Sequence, residues 1–229
     1  LNTLLITGTD TDTGKTILTS ALAAYWQVYR PQESWGIFKP IQTGIGDGEW
    51  YQELFEENQT PEEIVPLRFQ APLAPPVAAE LEGHSIDLGL VWQAFNALQQ
   101  KRKWVWVEAL GGLGSPVTYE LTVADLARDW GLPTVLVVPI KLGAIAQAVA
   151  NVALARSCNV QLKGIILNTV QPCSPEEQEN WTPIPLIESL TNVPILGTIP
   201  HLADPQDLQK LAQVASNLQL ERLLPISFS

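Results

Sequence analysis

The stretch Leu4-Leu5-Ile6-Thr7-Gly8-Thr9-Asp10-Thr11-Asp12-Thr13-Gly14-Lys15-Thr16, followed by an apolar helical run over 17–25, constrains everything downstream of it. A short apolar strand, a polar loop closing on Gly-Lys-Thr and a helix together present successive backbone N–H groups to a polyphosphate. In that arrangement Lys15 reaches the terminal phosphates and the Thr16 hydroxyl faces a magnesium ion. The spacing departs from the common phosphate-loop pattern: five residues separate Gly8 from Gly14-Lys15, with Thr9 standing where the first glycine is expected. A Gly-Lys-Thr tripeptide alone is a weak signal, and a capped polar loop with a solvated Lys15 is its plain alternative. The flanking strand and helix decide for a nucleotide site.

Apolar, β-branched runs recur at 3–7, 35–38, 104–107, 134–138, 164–167 and 195–199, with helix-forming stretches between them. This alternation predicts an α/β fold: a single domain with a doubly wound, mostly parallel sheet of the phosphate-loop NTPase type. A chain of 229 residues with 46% hydrophobic residues is enough to fill such a core. Ligands of these sheets gather at the carboxyl ends of the strands. The net charge of -11 argues against a general affinity for nucleic-acid backbone or an anionic membrane. It leaves local phosphate binding open, because clustered N–H groups and one or two lysines outweigh a distant acidic surface. Two cysteines, Cys158 and Cys173, lack metal-ligand spacing, and no leader or run of membrane length is visible, so a reduced cytoplasmic protein is expected.

Between the runs, 61–89 is rich in Pro and Ala and reads as a surface excursion with room for one edge strand. It leads into a helix over 88–100 with Asp87 as N-cap. A second irregular stretch, 171–185, precedes a short helix near 186–190. Helical spacing marks 121–130, ended by Gly131-Leu132-Pro133, and one last helix over 207–224. Both are packing elements on this reading.

Several strand ends carry polar residues. Lys39 follows the run at 35–38 and supplies a second fixed cation beside the loop, unless it snorkels at the surface. Asp47 and Glu49 precede the amphipathic run 50–56, and each is a metal candidate or a helix-capping acid. Glu108 ends the run at 104–107, the position of a second magnesium ligand in phosphate-loop enzymes. The segment Pro139-Ile140-Lys141-Leu142-Gly143-Ala144 opens a helix over 145–155, whose free N–H groups suit an anion. Asn168 ends the run at 164–167, and Pro200-His201-Leu202 follows the last strand. Neither His201 nor His84 is given a catalytic role.

The Thr-rich loop from Gly8 to Thr16 resembles that of the dethiobiotin synthetases, the ATP-dependent carboxylases of biotin biosynthesis. Lys39-Pro40-Ile41-Gln42-Thr43-Gly44 is similar to that family's Lys-Pro-x-x-[Ser/Thr]-Gly, and Lys141-Leu142-Gly143 matches its Lys-Leu-Gly. Glu108-Ala109-Leu110-Gly111-Gly112 resembles its Glu-Gly-Ala-Gly-Gly, departing at Ala109 and Leu110. Asn168 fits the first position of an Asn-Asp pair, with Thr169 in place of the Asp. The resemblance implies MgATP-driven joining of CO2 or bicarbonate to 7,8-diaminononanoate by a homodimer whose substrate tail crosses the interface. It implies Lys15, Lys39 and Lys141 as catalytic cations, and Thr11, Thr43, Gly143 and Ala144 at the substrate. For the nucleotide it implies Asp12, Thr13, Gly14, Lys15, Thr16, Ile17, Glu108, Ala109, Leu110, Gly111, Asn168, Pro200, His201 and Leu202. For Mg2+ it implies Thr16, Glu108 and one of Asp47 and Glu49. The rival reading is a nucleotide-switch ATPase of the partitioning or septum-positioning type. Such proteins usually carry an extra lysine at the start of the loop, where this chain has Thr7-Gly8-Thr9. A corrinoid amide ligase is a third, but it requires a glutaminase domain for which 229 residues leave no room.

Overall fold

The computed structural model describes residues 2–55 and 58–224. Strand β1 (Asn2–Gly8) leads through the polar loop into α1 (Lys15–Tyr29), β2 (Trp35–Phe38), the short β3 (Gln42–Thr43) and α2 (Asp47–Leu54). The excursion then forms α3 (Pro61–Ile64), β4 (Arg68–Phe69) and α4 (Pro75–Leu81). The main sheet resumes after α5 (Leu88–Lys101) with β5 (Trp104–Gly112), α6 (Val123–Asp129), β6 (Thr134–Pro139), α7 (Ala144–Ser157) and β7 (Leu162–Asn168). The chain finishes with α8 (Pro175–Trp181), α9 (Ile184–Thr191), β8 (Ile195–Ile199), α10 (Leu208–Ser216) and α11 (Leu220–Leu223).

Six strands pair in the order β2-β5-β1-β6-β7-β8, every pairing parallel. Because side chains alternate along a strand, β1 sends Leu4 and Ile6 to one face and Leu5 to the other. The first face packs under α1 and α10; the second is covered by α5 and α6. Leu136 and Val138 of β6 and Ile165 and Leu167 of β7 pack with α7 and α9. On the α1 face Trp26 meets Trp104 and Trp106 at centroid distances of 4.9 and 4.8 Å. The indole N–H groups of Trp26 and Trp104 both donate to Glu33, so the bulky rings are buried with those polar edges satisfied.

The six sheet strands fall where apolar runs predict them, with β5 continuing four residues past Glu108 to Gly112. Asp87 caps α5 by accepting from Leu90 N at 3.0 Å. The Pro-rich excursion is better ordered than its composition suggests. Its β4 pairs with β3, Gln42 beside Arg68 and Thr43 beside Phe69, and Glu82 accepts from the backbone N–H groups of Gln70 and Ala71. The second irregular stretch holds a helix too, α8, whose Ser174 and Glu177 form a reciprocal cap. The expected single helix over 207–224 is broken after Ser216. Leu218 turns in against Gly197, and Gln219 N donates to Leu196 O, so sheet contact outcompetes helix continuation. The amphipathic run at 50–56 begins earlier, as α2 from Asp47, and its last residue, Glu56, lies outside the described residues. Among the described residues no helix is long and apolar enough to cross a membrane.

Candidate active site

The loop after β1 sits at the centre of the sheet's carboxyl edge, between β5 and β6. Gly14 adopts φ 93°, a left-handed conformation that lets the chain turn into α1. Among the described residues no side chain caps α1, so its first-turn N–H groups stay available to an anion. Lys15 folds back over the loop, its Nζ donating to Asp10 O at 3.0 Å. Asn168 reaches across from the end of β7 and donates to Thr13 O at 2.8 Å. The backbone of β5 closes the other side: a Cβ on Gly112 would stand 3.0 Å from both Gly8 O and Thr9 O. The loop's edges are therefore set by neighbouring strands as well as by its own residues.

Register explains the charge cluster beside it. Phe38 pairs with Val107, so the next residues, Lys39 and Glu108, emerge side by side at the strand ends. Lys39 Nζ donates to Glu108 Oε1 at 2.9 Å and forms a second ion pair with Asp47, at the start of α2. Thr16 Oγ1 donates to Asp47 Oδ1 at 2.8 Å and lies 3.4 Å from Glu108 Oε1. Tyr51 donates to the remaining oxygen, Glu108 Oε2. Burial opposes charge on Lys39, but Glu108 and Asp47 outweigh it and hold the ammonium above its usual range. Burial likewise pushes against the Asp47 carboxylate, and Lys39 overrides it, bringing Asp47 to about 2. Glu108 is pushed up by burial against the pull of Lys39, and Lys15 is drawn down by burial against the pull of Glu108. The donor set offered by Thr16, Asp47 and Glu108 is all oxygen, which suits a hard divalent cation such as Mg2+. Among the described residues no three His, Cys, Asp or Glu side chains group as a metal site, so phosphate and water oxygens would complete such a shell.

Two clefts open on either side of the loop. One, of about 690 Å³, is lined by Thr11, Lys15, Lys39, Thr43, Asp47 and Gly111, with Ile45 and the 72–75 segment across its mouth. The other, of about 300 Å³, is lined by Gly14, Ile17, Asn168, Pro200, His201 and Leu202. Asp12, Gly14 and Thr16 border both, so a phosphate chain over α1 would join a group in one cleft to a reacting partner in the other.

A profile of the AAA domain family matches residues 2–208. The ATP-dependent dethiobiotin synthetase BioD of Gloeothece citriformis is 61% identical over 97% of this chain and 99% of its own length. That of Bacillus subtilis (strain 168) is 32% identical over 96% of each. The chain belongs to the dethiobiotin synthetase family. It is accordingly an enzyme of the ligase type. Among solved structures, the MinC:MinD cell division protein complex of Aquifex aeolicus aligns with TM-score 0.57 at 15% identity, over 97% of this chain and 94% of that one. A ParA family ATPase from Chlorobium tepidum aligns with TM-score 0.54 at 14% identity, over 99% and 94%. At such identities these two report the doubly wound fold alone.

Most of the residues that the dethiobiotin synthetase motifs mark do converge, and a few do not. Thr13 is buried beneath the loop, and Ala109 lies in the apolar layer beside Leu5 and Ile41, while Leu110 and Gly111 line the larger cleft. Lys141 and Gly143 are exposed at the corner between β6 and α7 and line neither cleft; Ala144 is buried. Of the two acids left open as metal ligands, the structure brings Asp47 to the cluster. Glu49 turns away to Gly46 N, Gln42 and Arg68, where it caps α2 and ties it to the β3–β4 ribbon. Motif reading missed Tyr51, Gln42, Ser115 and the 72–75 segment. Tyr51 had one signal, its position a helical turn after Asp47 on the same face.

The Glu49 carboxyl is held at about 2, burial being outweighed by the N–H groups of Gly46 and Gln42 and by Arg68. A carboxyl depressed on folding stabilises the protein above its unfolded value and loses that contribution as pH falls. Glu49→Gln is therefore expected to lower the urea midpoint at about pH 6, with the gap to wild type shrinking below about pH 4.5 and closing near pH 2. Paired titrations in urea check this. On the reading of Asp47 as the metal ligand of the pair, Asp47→Asn should instead raise the Mg2+ concentration needed for activity, an effect Glu49→Gln does not share.

Proposed function

We propose that this chain joins CO2 to 7,8-diaminononanoate at the expense of ATP, giving dethiobiotin, ADP and phosphate. One observation carries the reading: Lys15, Lys39, Thr16, Asp47 and Glu108 meet on one rim of the sheet, between two clefts that share the phosphate loop. One substrate amine adds to CO2 and loses a proton, giving a carbamate. A carbamate oxygen then attacks the γ-phosphorus and ADP departs. The second amine attacks the carbamoyl carbon and expels phosphate, closing a cyclic urea.

The demanding step brings a carbamate anion against a polyanion, and fixed cations lower that barrier. On this reading the N–H groups of α1 and Lys15 hold the phosphates, and Lys39 stands where the carbamate and γ-phosphate oxygens approach. Thr43 and Thr11, on the walls of the larger cleft, bind the substrate end. Asn168 and the 200–202 segment take the base; the Asn168 N–H bond to Thr13 leaves its carbonyl oxygen to accept from an exocyclic amine. Thr16, Asp47 and Glu108 would hold Mg2+, which supplies further cancellation of phosphate charge when bound. Both nucleophiles belong to the substrate, so the chain's groups position and neutralise.

The exposed Lys141-Leu142-Gly143 corner, with Leu142 82% exposed, supports a homodimer in which this corner meets the partner's substrate. A cytoplasmic location belongs to the same reading. The test is incubation with diaminononanoate, MgATP and labelled bicarbonate: label in a ureido product, one ADP per product, is expected. Slow ATP hydrolysis that ignores diaminononanoate and rises with DNA or membrane would overturn the reading in favour of a nucleotide switch.

A further inference from the structure

The geometry points to Tyr51 as a positioning residue that fixes the Glu108 carboxylate for its metal; we propose this role, which rests on reading Glu108 as a metal ligand. Tyr51 and Glu108 are both fully buried, 57 positions apart in sequence, and meet through the phenol O–H and Oε2. The other oxygen, Oε1, is thereby aimed at Lys39 and Thr16. A buried carboxylate oxygen without a donor is costly, so the phenol both satisfies Oε2 and selects the rotamer. The same helix carries Asp47 one turn earlier, and residues four apart share a face. Helix α2 thus delivers one carboxylate and sets the orientation of the other. Its own place is fixed on two sides: Trp50 Nε1 donates to Ser20 Oγ of α1 at 3.0 Å, and Gly48 N donates to Gln42 Oε1 at 2.7 Å. Gly48 lies so close to its neighbours that a Cβ there would come within 2.8 Å of Arg68, Val65 and Gln42. The helix has little room to shift, so the spacing between the two carboxylates is held by packing.

Groups that orient a ligand from behind the metal typically change metal affinity ten- to a hundredfold when removed. The experiment measures Mn2+ binding by electron paramagnetic resonance in the presence of a non-hydrolysable ATP analogue, together with metal-free nucleotide affinity and melting temperature. It compares wild type, Tyr51→Phe, Glu108→Gln and Phe55→Leu, the last a packing change in the same apolar cluster. Expected for Tyr51→Phe is a Mn2+ dissociation constant about tenfold or more above wild type, with metal-free nucleotide affinity unchanged. Phe55→Leu should lower the melting temperature and leave the Mn2+ constant alone. Wild-type Mn2+ binding in Tyr51→Phe, or an equal shift in Phe55→Leu, would reduce Tyr51 to core packing. A Tyr51→Phe protein that does not fold also counts against the proposal, the phenol then being a stability element. Glu108→Gln separates the levels. If it leaves Mn2+ binding intact, the metal assignment itself falls; if it weakens binding while Tyr51→Phe does not, only the role of Tyr51 is lost.

Discussion

Lys39→Ala is expected to cut turnover about a thousandfold while leaving ATP affinity within a few fold of wild type. Lys15, the loop N–H groups and the smaller cleft are untouched by the change, so the ground-state grip on the nucleotide survives. What disappears is the ammonium that bridges Asp47 and Glu108 at the rim of the larger cleft. The truncation also leaves two carboxylates facing each other, Glu108 fully buried and Asp47 partly open. Metal-free protein should lose about 2 to 3 kcal/mol of stability, less than a fully buried broken pair costs, because water still screens Asp47. Added Mg2+ should recover more of the melting temperature in the variant than in wild type, since it replaces the missing positive charge. Steady-state kinetics, nucleotide titration and melting with and without Mg2+ read all three effects. Equal loss of turnover and of ATP binding, or loss of neither, would remove Lys39 from the chemistry.

Gly14→Ala should act on the opposite term, removing nucleotide affinity by about a hundredfold or more. A side chain at φ 93° is strained in itself, by about 1 kcal/mol or more. The added Cβ would also sit 1.8 Å from Asn168 Nδ2, inside the carboxamide that donates to Thr13 O. Relief requires moving Asn168 off the loop, which alters the smaller cleft and frees the Thr13 carbonyl together. Titration with a fluorescent ATP analogue measures the loss; near wild-type affinity would show that Asn168 is free to swing aside and does not set the loop's shape.

The positions of the strands along the chain and the loop between β1 and α1 were legible because each is written locally: recurring apolar runs, and a Gly-Lys-Thr turn between a strand and a helix. Lys39 and Glu108 were legible for the same reason, each following a strand whose end is visible in sequence. Asp47 and Glu49 were not separable that way. Both are acids in the first turn of one helix, and only the neighbours they meet tell the member of the charge cluster from the cap: Lys39 and Thr16 for Asp47, Gln42 and Arg68 for Glu49. In the excursion the one strand allowed for is present as β4, but the helices α3 and α4 were not foreseen, because proline content reports what a segment cannot form. It does not report that Gln42 and Thr43 of β3 and the 72–75 segment line the larger cleft. The break before Leu218 was hidden too, since helical spacing continues through it and the winning contact lies with Gly197 on another strand.

By itself the sequence determined the kind of sheet, the phosphate loop and the family, because these are written in the local alternation of apolar runs with helical stretches and in motifs that stay contiguous. Tertiary structure alone decided which carboxylate joins the cluster, which tyrosine holds Glu108, and which segment walls the cleft. Those outcomes follow from strand register and helix docking, interactions between residues tens of positions apart whose energies no local pattern encodes.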